Sequence, residues 1–123
     1  LSNEEKKRIK FLYNYFSKPL VNNFFNKENL WKIFYLNNKK YLEDLINFKI
    51  LKEKNKETKL KNLKNYFSDK TCPELPIKAE FLINNYNLRE GKNLGIKLKE
   101  IENTWLENNF KISKEEIQKI VGN

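Results

Sequence analysis

A chain of 123 residues suits one domain or one compact helical unit and can bury a real, though modest, core. Hydrophobic residues make up 39% and aromatics 14%, while glycine and proline occur only three times each, which argues against sandwiches and barrels and points to an all-α fold of about six or seven short helices. The net charge of +9 and a pI near 9.5 favour an anionic partner, either nucleic acid or a membrane surface.

The elements follow in chain order. "LSNEEKKRIKFLYNYF" opens with Ser2 and places Glu5 three residues on, a capping box, and Ile9, Leu12, Tyr13 and Phe16 then fall at helical spacing. Pro19 is expected to stop this helix. "NKENLWKIFYL" forms a second helix, capped by Asn26, with Leu30, Ile33 and Phe34 inward. Asn37 and Asn38 alone separate it from a third, "KKYLEDLINFKILKE", which turns Tyr41, Leu42, Leu45, Ile46 and Phe48 or Lys49 inward. Residues 52–64 hold six lysines and two glutamates, and read as a solvated loop leading into a fourth helix with Leu60, Leu63, Tyr66 and Phe67 on one stripe.

"KTCPELPIK" is the clearest break, because Pro73 and Pro76 each remove a donor and push their predecessors towards extended geometry. It divides residues 1–70 from 71–123, unless the whole is one continuous domain. "KAEFLINNY" is a short helix, "NLREGKNLG" a turn, and "NLGIKLKEIENTWLENNF" a long helix with Leu94, Leu98, Ile101 and Trp105 on one stripe. Ser113 with Glu116 repeats the capping box and starts the last helix.

Enzyme signatures are missing. With no histidine and one cysteine, Cys72, there is no Ser-His or Cys-His pair, no disulfide framework and no Cys/His zinc site within one chain. Asp44 and Asp69 lie in different segments, so the close carboxylate pair of two-metal phosphoryl transfer is not formed. No catalytic residue and no metal ligand is assigned. The lone cysteine fits a reducing, cytoplasmic interior. No apolar run of about 18 residues suggests a membrane span. The chain begins "LSNEEKK" and contains no methionine, which suggests a piece of a longer protein.

Binding signals are more diffuse. Lysine supplies 23 of the 25 basic residues and asparagine occurs 20 times. These are the residues an AT-rich genome writes at permissive positions, whereas phosphate sites favour arginine's planar fork, so a functional and a compositional reading of the charge both stand. In "REGKNLG", Gly91 is suited to a positive φ, Asn93 to capping the next helix and Gly95 to close backbone approach. Arg89, Lys92 and Lys97 can bracket a phosphate at a helix N-terminus, with Lys78 nearby. Lys54, Lys56, Lys59 and Lys61 form a second candidate patch. The plainer alternative is a packing corner with exposed lysines. Ile101 and Trp105 read as core rather than as a stacking platform; for Trp31 helical spacing favours core packing, with exposed aromatic stacking as the alternative.

The order of residues 75–110 resembles the C-terminal body and tail of the bacterial tRNA nucleotidyltransferase and poly(A) polymerase family, the CCA-adding enzymes. Leu75, Pro76, Ile77 and Leu82 match its Leu-Pro-apolar stretch; Gly91, Leu94, Gly95 and Leu98 match its glycine turn; Glu102, Trp105 and Phe110 match its closing acid, Trp and Phe. Ala79 and Phe81 stand where the family has Gly and Asp, and Glu90 and Lys92 where it has prolines. The resemblance implies a helical accessory region that holds the tRNA acceptor and T arms by backbone contacts. The chemistry, with magnesium and CTP or ATP, would lie in an N-terminal catalytic head that this sequence does not contain. The competing expectation is a helical protein–protein interaction module without a nucleic-acid role.

Overall fold

The computed structural model describes residues 2–16 and 25–122, so Pro19 lies outside the described residues. These residues are all-helical: seven α-helices and one 3-10 turn, with no strand among them. The chain divides into two compact units, Leu1–Cys72 and Pro73–Asn123, with the boundary inside the proline-marked segment.

The first unit comprises α1 (Asn3–Phe16), α2 (Lys27–Leu36), α3 (Lys39–Lys52), a 3-10 turn (Lys54–Lys56) and α4 (Glu57–Ser68). Three side-chain caps set the helix starts. Ser2 and Glu5 exchange the two bonds of a capping box, Asn26 accepts from the Asn29 amide at 2.9 Å, and Asn38 accepts from Tyr41 at 3.1 Å. With only Asn37 and Asn38 between them, α2 and α3 form a tight hairpin. The α3 helix is central, since α1, α2 and α4 all pack on it. Leu30, Ile33, Phe34, Leu42, Leu45, Ile46, Leu60 and Phe67 make the core, and Phe11, Leu12, Tyr15, Trp31, Leu63 and Tyr66 close over it.

Two expectations fail here. In α1 the inward face is Phe11, Leu12 and Tyr15, whereas Ile9 is 54% and Tyr13 70% exposed. Both stripes satisfy helical spacing; the choice between them is made by Arg8, which sits on the inward face and donates to both Asp44 oxygens of α3 at 2.6 and 2.7 Å. That bidentate pair fixes the rotation of the helix. The solvated loop is also shorter than expected, because the chain is in α4 from Glu57 onward. Lysine is a good helix former, and the i,i+4 pairs Lys49–Glu53 and Glu57–Lys61 support the flanking turns.

The second unit comprises α5 (Ala79–Tyr86), α6 (Lys92–Glu107) and α7 (Lys114–Gly122). Leu82, Leu94, Ile101 and Ile117 form its core, covered by Leu75, Ile77, Leu98, Ile112 and Ile120. Trp105 is buried and meets Phe110 edge-on at 4.9 Å. The α5 helix ends on Asn87 in the left-handed region, a standard helix stop. Ser113 and Glu116 form the second capping box, and Asn108 donates to Glu116 at 2.8 Å, joining the end of α6 to the start of α7.

The glycine turn also needs correction. Gly91 does adopt a positive φ, +139° with ψ −169°, which L side chains rarely tolerate. However, α6 begins at Lys92, so Gly91 is the N-cap and Asn93 sits inside the first turn without capping. Gly95 is exposed, and a Cβ there would meet nothing within 4 Å, so it serves no close approach. These two glycines therefore respond oppositely to the same change. Gly91→Ala should destabilise by about 1–3 kcal/mol. Gly95→Ala should stabilise by roughly 0.5–1 kcal/mol, through helix propensity alone. Chemical denaturation of both variants checks this, and a destabilised Gly95→Ala would restore a packing role.

The second capping box is testable by pH. The Glu116 carboxylate lies below its ordinary value of 4.5 because the Ser113 backbone and side chain, and then Asn108, bond its charged form. Its folded pKa is depressed, so its contribution is present above the ordinary value and lost as pH falls through the folded one. Glutamine keeps the cap but does not titrate. Glu116→Gln should therefore flatten stability against pH below about 4.5. An unchanged acid limb would mean the box does not favour the charged form.

Candidate nucleic-acid interface

The two units differ in charge more than in fold. Leu1–Cys72 carries 17 Lys and Arg against 8 Asp and Glu, which is the entire net +9 of the chain. Pro73–Asn123 carries 8 against 8 and is neutral. The candidate phosphate turn is thus set in a balanced unit, and the secondary lysine patch in the basic one.

Within the first unit the basic residues border a groove of about 620 Å³, lined by Lys27, Asn55, Lys56, Thr58, Lys59, Asn62, Leu63 and Tyr66. It arises from helical spacing. Lys59, Asn62 and Tyr66 follow one another at three- and four-residue steps on the face of α4 beside the buried Leu60–Phe67 stripe, and Asn55 on the preceding 3-10 turn continues the spacing. Lys27, at the first turn of α2, supplies another border. Every polar side chain in this lining is a hydrogen-bond donor, and none is acidic. Lys56 reaches Glu53 at 3.7 Å, whereas Lys59 makes no ion pair among the described residues.

Tyr66 is the most constrained member. Lys27 Nζ stands 4.1 Å and Lys70 Nζ 4.6 Å from its ring centroid. Trp31 Nε1 donates to its hydroxyl at 3.2 Å. Trp31 is itself half-buried, stacked on Phe34 at 5.8 Å and edge-on to Phe67 at 5.1 Å, so its role is packing.

The expected site residues scatter. Lys56 and Lys59 line the groove, but Lys54 lies on the 3-10 turn outside it, and Lys61 turns to Glu57 at 3.1 Å. In the second unit Arg89, Lys92 and Asn93 are exposed around Gly91. Lys78 lines a different groove of about 430 Å³ with Leu75, Ile77, Ala79, Gly95 and Leu98, where Lys99 bonds Glu102 at 2.9 Å. Lys97 does not join the turn at all. It is only 7% exposed, because it lies three residues after Leu94 and four before Ile101, on the inward face of α6. Lysine tolerates this by laying its aliphatic stem along apolar neighbours.

Sequence reasoning counted lysines and so passed over Lys27, Asn55, Asn62 and Tyr66. The signal was present as a polar stripe running parallel to the apolar one on α4. Among the described residues there is no group of three or more His, Cys, Asp or Glu side chains that could hold a metal ion. Nor is any helix among them long and apolar enough to cross a membrane. Comparison with protein-family models, with curated proteins and with solved structures finds no match to this chain.

Proposed function

We propose that this chain is an RNA-binding module that grips duplex RNA by its phosphate backbone, with the first unit as the principal binding surface. The observation that carries this reading is the concentration of all net charge in that unit, beside a groove whose lining holds three lysines and no acid. Donors without acids suit phosphate oxygens, and A-form RNA is recognised mainly through shape, phosphate and 2′-OH. The resemblance of residues 75–110 to CCA-adding enzymes supplies the RNA class: the acceptor and T arms of tRNA, in the cytoplasm, held for a nucleotidyl-transferring head elsewhere in a longer protein. The neutral second unit then acts chiefly as architecture, with Arg89 and Lys92 as minor contacts.

A second reading rests on Phe81 and Ile96, which are 41% and 46% exposed on the second unit and would suit a protein partner.

Titration against a tRNA acceptor/T-arm minihelix, an equal-length DNA duplex and anionic vesicles across a salt series tests the RNA reading. Preference for the minihelix is expected, with about one unit of log–log salt slope per phosphate contact. Lys56→Ala with Lys59→Ala should lower that slope by about two, and Arg89→Ala with Lys92→Ala by less than half as much. Salt-insensitive binding, or a preference for vesicles, would sink the proposal.

A further inference from the structure

The Tyr66 hydroxyl has one proton to donate and lone pairs to accept with. The Trp31 indole N–H occupies the acceptor side at 3.2 Å. Among the described residues no acceptor takes the Tyr66 proton. An O–H whose oxygen already accepts from a rigid indole cannot point its proton back at that N–H. The proton is therefore turned away from Trp31, and Tyr66 lines the groove together with Lys27, Lys59, Asn55 and Asn62. The indole is held in turn by its stack on Phe34 and its edge contact with Phe67. Two ammonium groups already stand over the Tyr66 ring, so a base would have to displace a lysine to stack there.

We propose that this groove is a phosphodiester subsite, in which Tyr66 is a directed hydroxyl donor and Trp31 its positioning residue. It reads backbone and not base. The source of the phosphodiester rests on the RNA reading above, but the site itself does not. Binding brings a phosphate oxygen to the Tyr66 proton, with lysine ammoniums neutralising the charge, in a charge-assisted hydrogen bond.

The test uses the full chain and its two tryptophan indole N–H resonances, Trp31 and Trp105, one in each unit. The probes are the minihelix, a base-bearing single strand and an abasic deoxyribose-phosphate oligomer, all at low salt. The Trp31 resonance should shift with the minihelix and with the abasic oligomer, while Trp105 stays. Tyr66→Phe keeps the ring and the lysines over it but loses the hydroxyl; it should weaken both interactions by roughly tenfold. Trp31→Phe should weaken binding less, and should cost nothing further in the Tyr66→Phe background, a coupling that a purely structural role would not give. Thermal unfolding of each variant controls for folding, and Lys59→Gln, on the exposed face of α4, should weaken binding even if an aromatic variant unfolds.

If the minihelix binds while the Trp31 resonance is unmoved and Tyr66→Phe binds like the parent, the subsite is overturned and the RNA reading stands. If the minihelix fails but the abasic oligomer shifts Trp31, the RNA reading falls and the subsite stands. If the base-bearing strand binds and the abasic oligomer does not, the ring is a stacking platform and the phosphodiester assignment is overturned.

Discussion

The surface that the first unit presents depends on how Trp31 is held. Its ring bridges α2 and α4 through Phe34, Phe67 and Tyr66, so the contact that closes the core also sets the position of the groove-lining tyrosine. Aromatic pairs in offset or edge-on geometry add to the area they bury, and a half-buried indole N–H gains from a partner. Tyr66 supplies that partner from the solvent side. Packing and surface chemistry are thus two ends of one hydrogen bond. The remaining ties act around it: Arg8 and Asp44 orient α1, and Lys39 donates to the Ser68 carbonyl at 2.7 Å, where a cation complements the C-terminus of α4.

Charge and resemblance fall on different halves of the chain. The motif-like order lies within residues 75–110, in a unit whose charges cancel, whereas the excess lysine lies in the unit before it. A compositional bias towards lysine alone would load both units; the second has matched its basic residues with acids, and the first has not. The positive field therefore belongs to the first unit, and it is screened over about a Debye length at physiological salt.

The parts of the fold governed by local rules were legible in the sequence. Both capping boxes, the Asn26 cap, the two-asparagine hairpin and the stripes of α2, α3, α4 and α6 follow from spacing and side-chain chemistry. What was not legible depended on partners distant in sequence. The rotation of α1 was ambiguous until Asp44, thirty-six residues away, took Arg8. Lys97 is the opposite case, since its register with Leu94 and Ile101 marked it as inward, but its charge drew it into a surface site. Gly91 was readable because a helix start needed an unusual φ, whereas Gly95 was given a packing role that no neighbour supports. The groove is not visible as a lysine cluster in the sequence, because its lining mixes Lys59, Asn62 and Tyr66 on one face of α4 with Asn55 on the preceding turn and Lys27 on α2.

Lysine-reactivity footprinting of the full chain, with and without the acceptor/T-arm minihelix, tests the central claim most directly. The account predicts that Lys27, Lys56 and Lys59 are protected from acetylation by the RNA more strongly than Lys78 and Lys92. Protection concentrated at Lys92, or spread evenly over both units, would contradict it.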